Sequence, residues 1–167
     1  MLAARQERAS LTRSVVVDAP VAEVWARVVT AEGIDHELRP LLSMTMPAGL
    51  REASIDTVPV GRPLGRAYLR LGGLLPVEYD DLVLVDVDPP RSFHERSSMA
   101  SARVWEHRRV LDPVGDTSTQ VTDHLRIEPR LPLPPVLLRT IVDLLFAHRH
   151  RRLRTWFTGS GTGRREH

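Results

Sequence analysis

The sequence predicts an α+β fold: a curved antiparallel sheet with a long amphipathic helix across its concave face. Three observations carry this. A β-rich stretch near the start is followed at once by two short helical stretches. Residues 50–127 then alternate apolar and polar side chains between turn signals. Beyond a proline-rich hinge, PRLPLPP (129–135), one stretch keeps helical spacing to about residue 157. Strands grouped apart from helices, rather than alternating with them, are the mark of an α+β plan.

The elements follow in order. LTRSVVVD (11–18) reads as a strand with β-branched valines at its centre. Asp18 is the expected cap of the next helix, and Pro20 suits its first turn. Val21, Val24, Trp25, Val28 and Val29 then recur at helical spacing. A second short helix is expected over Gly33–Leu38, ending before Pro40. LLSMTM (41–46) alternates, with Leu42, Met44 and Met46 on one side. Strands are expected at 65–71, 82–87, 92–99, 102–111 and 119–127. Gly72-Gly73, Asp88-Pro89-Pro90 and Asp112-Pro113-Val114-Gly115 mark turns.

At 100° per residue, Leu138, Val142, Leu145 and Trp156 of the last helix fall near one line. Leu137, Ile141, Leu144 and His148 flank them on one side, Phe146, Leu153 and Phe157 on the other. His150, Arg151 and Arg154 fall on the opposite, solvated face. Arg149 stands at the centre of the apolar stripe and needs either a partner or a route to water. A salt bridge near the end of the sheet would satisfy it; so would an anionic group on a ligand. Residues 1–10 are expected to be flexible, 11–158 to form one domain, and 159–167, GSGTGRREH, to be a disordered tail.

Composition excludes several classes. The chain of 167 residues is 42% hydrophobic and 26% charged, ordinary for a globular domain. It has no cysteine, so disulfides and thiolate metal sites are out. Every one of its 23 basic residues is arginine, which lifts the pI to about 9.9 while net charge stays at +2. The 21 acidic residues are spread along the chain, so the large positive field of a nucleic-acid binder is not expected. No signal peptide is read in MLAARQERASL, and VLLRTIVDLLFA is cut by Arg139 and Asp143, too charged for a membrane span. A cytoplasmic protein, monomeric or homodimeric, is expected.

Several stretches carry a family resemblance: VVVDAPVAEVWARV, HELRPLLSMT, DPPRSFHERSSMASARVWEHRRVLDPVGDTSTQVTDHL and FAHRHRRL. In that order, they resemble the START-like, Bet v 1-type helix-grip superfamily, in its bacterial branch of polyketide cyclase/dehydrase and lipid-transport-like proteins (SRPBCC). The resemblance covers residues 12–157. It implies an apolar cavity for a small hydrophobic molecule and places the tryptophan and histidine of the W-x-H stretch inward. Cyclases, hydrolases, lipid carriers and receptors share the fold, so function has to be argued from the site.

In ARVWEHRRVL, alternation puts Trp105, His107 and Arg109 on one face; in TQVTDHLRI, Val121, Asp123, Leu125 and Ile127 share the apolar one. With position 111 opposite 119, His107 would face Asp123 across the strands. Such a pair either serves as a catalytic or ligand-binding spot, His107 acting as base with Asp123 orienting it, or only orders the sheet. Phe93 and Glu95 are expected inward, with Glu95 able to neutralise Arg109, while His94 and His124 are expected outward. Trp25, Met44, Tyr68, Trp105, Leu138, Val142 and Leu145 are the expected cavity wall; Glu95, His107, Asp123 and Arg149 are its polar groups. No metal site is expected. HELRP lacks the second histidine of H-E-x-x-H, GSGTGR follows no strand, and no G-x-S-x-G elbow is present. The function expected is binding of one hydrophobic small molecule without a cofactor. The alternative is a cyclase or dehydratase acting on a polyketide-like or aromatic substrate.

Overall fold

A computed structural model of the chain describes residues 8–47 and 50–160. Seven antiparallel strands form one curled half-barrel: β1 (Ala9–Val17), β2 (Leu42–Met44), β3 (Pro63–Leu71), β4 (Leu75–Asp88), β5 (Ser92–Met99), β6 (Ala102–Val114) and β7 (Ser118–Pro129). Their order across the sheet is β1-β7-β6-β5-β4-β3-β2. Two short helices, α1 (Val21–Val28) and α2 (Ala31–Leu38), follow β1, and the long helix α3 (Pro135–Ser160) packs on the sheet.

Several boundaries differ from expectation. Residues 9 and 10, expected to be flexible, pair with β7, and α3 runs on through 159 and 160, expected to start the tail. Residues 1–7 and 161–167 lie outside the described residues. The cap of α1 is Pro20, with no side-chain hydrogen bond, so Asp18 does not cap it. Helix α2 begins two residues earlier than expected because Thr30 caps it, its side chain accepting from the Gly33 N–H at 3.0 Å. A Cβ on Gly33 would stand 1.9 Å from the Arg27 carbonyl oxygen, so α1 and α2 meet this closely only through glycine.

The β6–β7 register differs from expectation by two residues. Leu111 lies opposite Val121, Arg109 opposite Asp123 and His107 opposite Leu125. The strands continue through Asp112, Pro113 and Val114, and the turn closes later, at residues 115–117, with Gly115 at φ +69°. Because the shift is even, every side chain keeps its expected face.

The apolar interior has two parts. One contains Val17, Val24, Trp25, Phe93, Leu111, Val121 and Leu153; the other contains Leu11, Met99, Leu125, Ile127, Val142 and Phe146. On β6, β7 and α3 alike, charged residues lie between them: Arg109, Asp123, and Arg149 with His150.

Candidate functional site

The charged layer is built from four elements. Arg109 of β6 is fully buried. Its Nη1 and Nη2 donate to the two carboxylate oxygens of Glu37 on α2, at 2.7 and 3.0 Å. Its Nε and Nη2 donate to Oδ1 and Oδ2 of Asp123 on β7, at 2.7 and 2.9 Å. Arg149 of α3 adds a bond from Nε to Glu37 Oε2 at 3.0 Å, its guanidinium lying 4.8 Å from the Phe146 ring centre. His107 Nε2 stands 2.7 Å from Asp123 Oδ1, and His150 Nε2 stands 2.6 Å from Asp123 Oδ2.

These contacts set the charge states. Burial alone would raise Asp123, but the Arg109 charge and the bonds from His107 and His150 hold it well below the usual carboxylate range. Burial would likewise raise Glu37, and Arg109 and Arg149 outweigh it, leaving it low. For Arg109, burial opposes the charge, and the two carboxylates more than restore it. An ionised Asp123 can only accept, so both histidines must carry hydrogen on Nε2. In the neutral form of either ring, Nδ1 is then the acceptor. That of His150 is buried without a hydrogen-bond partner; that of His107 lies 4.0 Å from Glu95 Oε2.

Above this layer, between sheet and α3, is a cavity of about 300 Å³. Its wall is mainly apolar, including Leu38, Met44, Leu69, Trp105, Leu138 and Val142. Of the residues named from the sequence, Met44, Glu95, Trp105, His107, Leu138, Val142, Leu145 and Arg149 line it. Asp123 lies behind His107. Two others do not line it. Tyr68 is 45% exposed, sharing the outer face of β3 with Arg66 and Arg70; Ala67 and Leu69 turn inward instead. Trp25 is buried in the other part of the interior, 6.5 Å from Phe93, with Nε1 donating to Asp56 at 3.0 Å.

Three further expectations are corrected. Glu95 does not neutralise Arg109; its Oε1 accepts from the Ser97 hydroxyl at 2.7 Å. His150 is buried rather than solvated, because the buried face of α3 centres on Val142, Phe146 and Leu153 and includes it, while Leu137, Ile141 and Leu144 are exposed. Trp156 is partly exposed, with the Arg27 guanidinium 3.7 Å from its ring centre and His36 against its edge.

Two site residues escaped the sequence reading. Glu37 sits beside Leu38 on the buried side of α2, an acid within an apolar pattern. Asp80 of β4 lines the cavity at 3% exposure, and its Oδ1 has no hydrogen-bond partner. Burial, with the charge of Glu95 second, pushes its carboxyl up to about 10. Its signal was alternation: Glu78, Asp80, Leu82 and Leu84 share one face of a strand that starts seven residues earlier than expected. Among the described residues no cluster of His, Asp or Glu side chains is arranged to hold a metal.

A family profile described as a domain of unknown function, DUF8410, matches residues 15–157. The chain belongs to the DUF8410 family. No curated protein matches its sequence. Solved structures with the same architecture include protein CV1439 from Chromobacterium violaceum, at 12% identity and TM-score 0.69, covering 89% of the DUF8410 chain and 97% of the other. A START superfamily protein from Mycobacterium smegmatis gives 13% and 0.64 over 90% and 97% of the two chains. Ara h 8.0201 gives 9% and 0.65 over 92% and 99%. At these identities the likeness shows the fold, which is the helix-grip fold of the START-like and Bet v 1-type proteins.

Two outcomes test the electrostatics. Replacing Arg109 by Met strands two buried carboxylates, so a loss of about 3–5 kcal/mol is expected in urea unfolding; a loss under about 1 kcal/mol would contradict the buried pairing. Asp80 acts in the opposite sense. The folded protein keeps its proton to about pH 10, whereas the unfolded chain releases it near pH 4. Between those values the folded state binds the extra proton, so this residue's contribution to stability falls as pH rises. Asp80→Asn cannot ionise. Its melting temperature should exceed that of the wild type by a margin that widens from pH 5 to pH 8, to about 4 °C or more. A margin that does not change with pH would show that Asp80 is ionised throughout.

Proposed function

We propose that the protein binds one small apolar molecule in the cavity between the sheet and α3, with no cofactor. The observation that carries this reading is the cavity itself: about 300 Å³, at the lower end of the range for small-molecule sites, walled by aliphatic side chains and Trp105. Void of this size is costly in a packed interior unless it serves binding.

A carrier or receptor acting alone or as a homodimer in the cytoplasm would fit this reading. No described helix is long and apolar enough to cross a membrane. Nucleic-acid binding by the arginine-rich end of α3 has little left to use. His148, Arg149 and His150 are buried and Arg152 donates to the His36 carbonyl, which leaves Arg151 and Arg154 to solvent.

A second reading is a cyclase or dehydratase with His107 as base. One observation favours it: His107 borders the cavity with Nε2 held by Asp123 and Nδ1 available to accept a proton. Against it, Asp123 is shared with Arg109 and His150, the bonding pattern of a structural anchor.

Native mass spectrometry of protein purified from its own host should show one retained apolar ligand, and Val142→Trp should lose it by filling the cavity. Protein that is always empty, and indifferent to Val142→Trp in binding an apolar fluorescent probe, would overturn the binding reading. If the protein is an enzyme, ligand recovered from His107→Gln should be unconverted and differ from that in the wild type in mass, or in chromatographic retention where the reaction is an isomerising cyclisation; identical mass and retention would exclude His107 as base.

A further inference from the structure

The cavity wall carries an unbalanced set of polar groups. Arg149 is the one arginine on it among the described residues, and its Nε and Nη2 already meet Glu37 Oε2 at 3.0 Å. Three carboxyl side chains stand on the same wall: Glu78, Asp80 and Glu95. Glu78 is occupied by the backbone N–H groups of Tyr79, Ala100 and Ser101. Among the described residues no arginine pairs with Asp80 or Glu95. In the ionic layer behind them, Arg109 and Arg149 are offset by Glu37 and Asp123, so no positive charge is left over to balance this pair.

Three acceptor atoms remain unused there. Asp80 keeps its proton at neutral pH and lies beside Glu95; with that proton on Oδ2, its Oδ1 is a buried acceptor with no partner among the described residues. Glu95 Oε1 takes the Ser97 hydroxyl, and Oε2 has only His107 Nδ1 at 4.0 Å. In the neutral tautomer with its hydrogen on Nε2 toward Asp123, His107 Nδ1 is also an acceptor. Two acceptors facing each other at 4.0 Å do not bond, but a donor with several hydrogens satisfies both. A buried acceptor without a donor is costly, and one that lines a cavity is open to a donor carried by a ligand.

We propose that the ligand carries a basic nitrogen, whose ammonium group sits among Asp80, Glu95 and His107 while its apolar body lies along α3. An ammonium supplies the donors that the three acceptors lack and the positive charge that Glu95 lacks. The same geometry disfavours a carboxylate, since the Glu95 carboxylate faces the place its head would occupy and Arg149 is engaged elsewhere. A neutral alcohol brings one donor for three acceptors. The inference rests on the cavity being a ligand site and specifies which apolar molecules enter it.

Calorimetric titration of the protein at neutral pH with 1-decylamine, 1-decanol and decanoate tests it, the three probes sharing one chain and differing in the head. Decylamine should bind at least about ten-fold more tightly than decanol, the worth of one charge-assisted bond, and decanoate more weakly than both. In Asp80→Asn/Glu95→Gln, checked for folding by circular dichroism, the amine should lose its advantage while decanol binding persists. Glu95→Gln alone serves if the double variant does not fold. Decanoate binding as tightly as decylamine, or an amine advantage that survives in the folded variant, would overturn the proposal and leave the cavity reading standing. If none of the three binds, both fall.

Discussion

The fold depends on one fully buried guanidinium. Arg109 has no water to retreat to, so it must be met on every side by acceptors, and two carboxylates from different elements meet it. Their approach fixes more than an ion pair. Asp123 sets how β7 pairs with β6, and Glu37 sets where α2 rests on the sheet. Arg149 and His150, bound to the same two carboxylates, set the rotation of α3. A one-residue slip of either strand would send Arg109 or Asp123 to the convex face and leave the other charge buried alone. Apolar packing tolerates small rearrangements; a buried charge without its partner costs several kcal/mol. The ionic layer therefore selects one arrangement among the many that would bury the same apolar area, whatever its net contribution to stability.

The same layer prepares the cavity wall. His107 is held at Nε2 by Asp123 and packed edge-on against Phe93 and Phe146, so its free nitrogen has one direction. Arg149 borders the cavity but is held on Glu37, so it presents packing surface there rather than free charge. Structural and binding roles are thus divided within single side chains. Nε2 of His107 belongs to the core and Nδ1 faces the cavity. What the wall offers a ligand is set by what the layer has left unsatisfied, and that remainder is acidic.

Most of the architecture was legible in the sequence because alternation and helical spacing record which faces are apolar. The β6–β7 register shows how far this reaches. Turn chemistry located the hairpin, but nothing in the sequence said that the strands would pair through Asp112-Pro113-Val114. The error of two residues was harmless only because faces repeat every two. Tyr68 was misplaced for a related reason: alternation groups it with Arg66 and Arg70, and the side holding two arginines is the solvent side. Arg149 announced itself as a charge on an apolar stripe. Its partner did not, because Glu37 lies 112 residues away and sequence spacing carries no information about contacts between distant elements. His150 was lost for a geometric reason. The buried face of α3 is turned toward Phe146 and Leu153 relative to the apolar stripe, which exposes Leu137, Ile141 and Leu144 and encloses His150.

Helix α3 joins these threads, since its two halves are held by different forces. From residue 148 onward it is tied by charge and hydrogen bonds: His148 to the Arg39 carbonyl, Arg149 to Glu37, His150 to Asp123, Arg152 to the His36 carbonyl. Before that, Leu138, Val142, Leu145 and Phe146 cover the cavity by apolar contact, and the side-chain tie to the sheet is the surface pair Arg13–Asp143 at 2.7 Å. Exposed ion pairs contribute little, and apolar contacts that border a cavity contribute less than those in a close-packed core. The anchored half fixes the position of the helix, and the covering half gains its packing from whatever fills the space beneath it. Filling the cavity with an apolar body would thus stabilise the first turns of α3 far more than the last, which the ionic layer already holds.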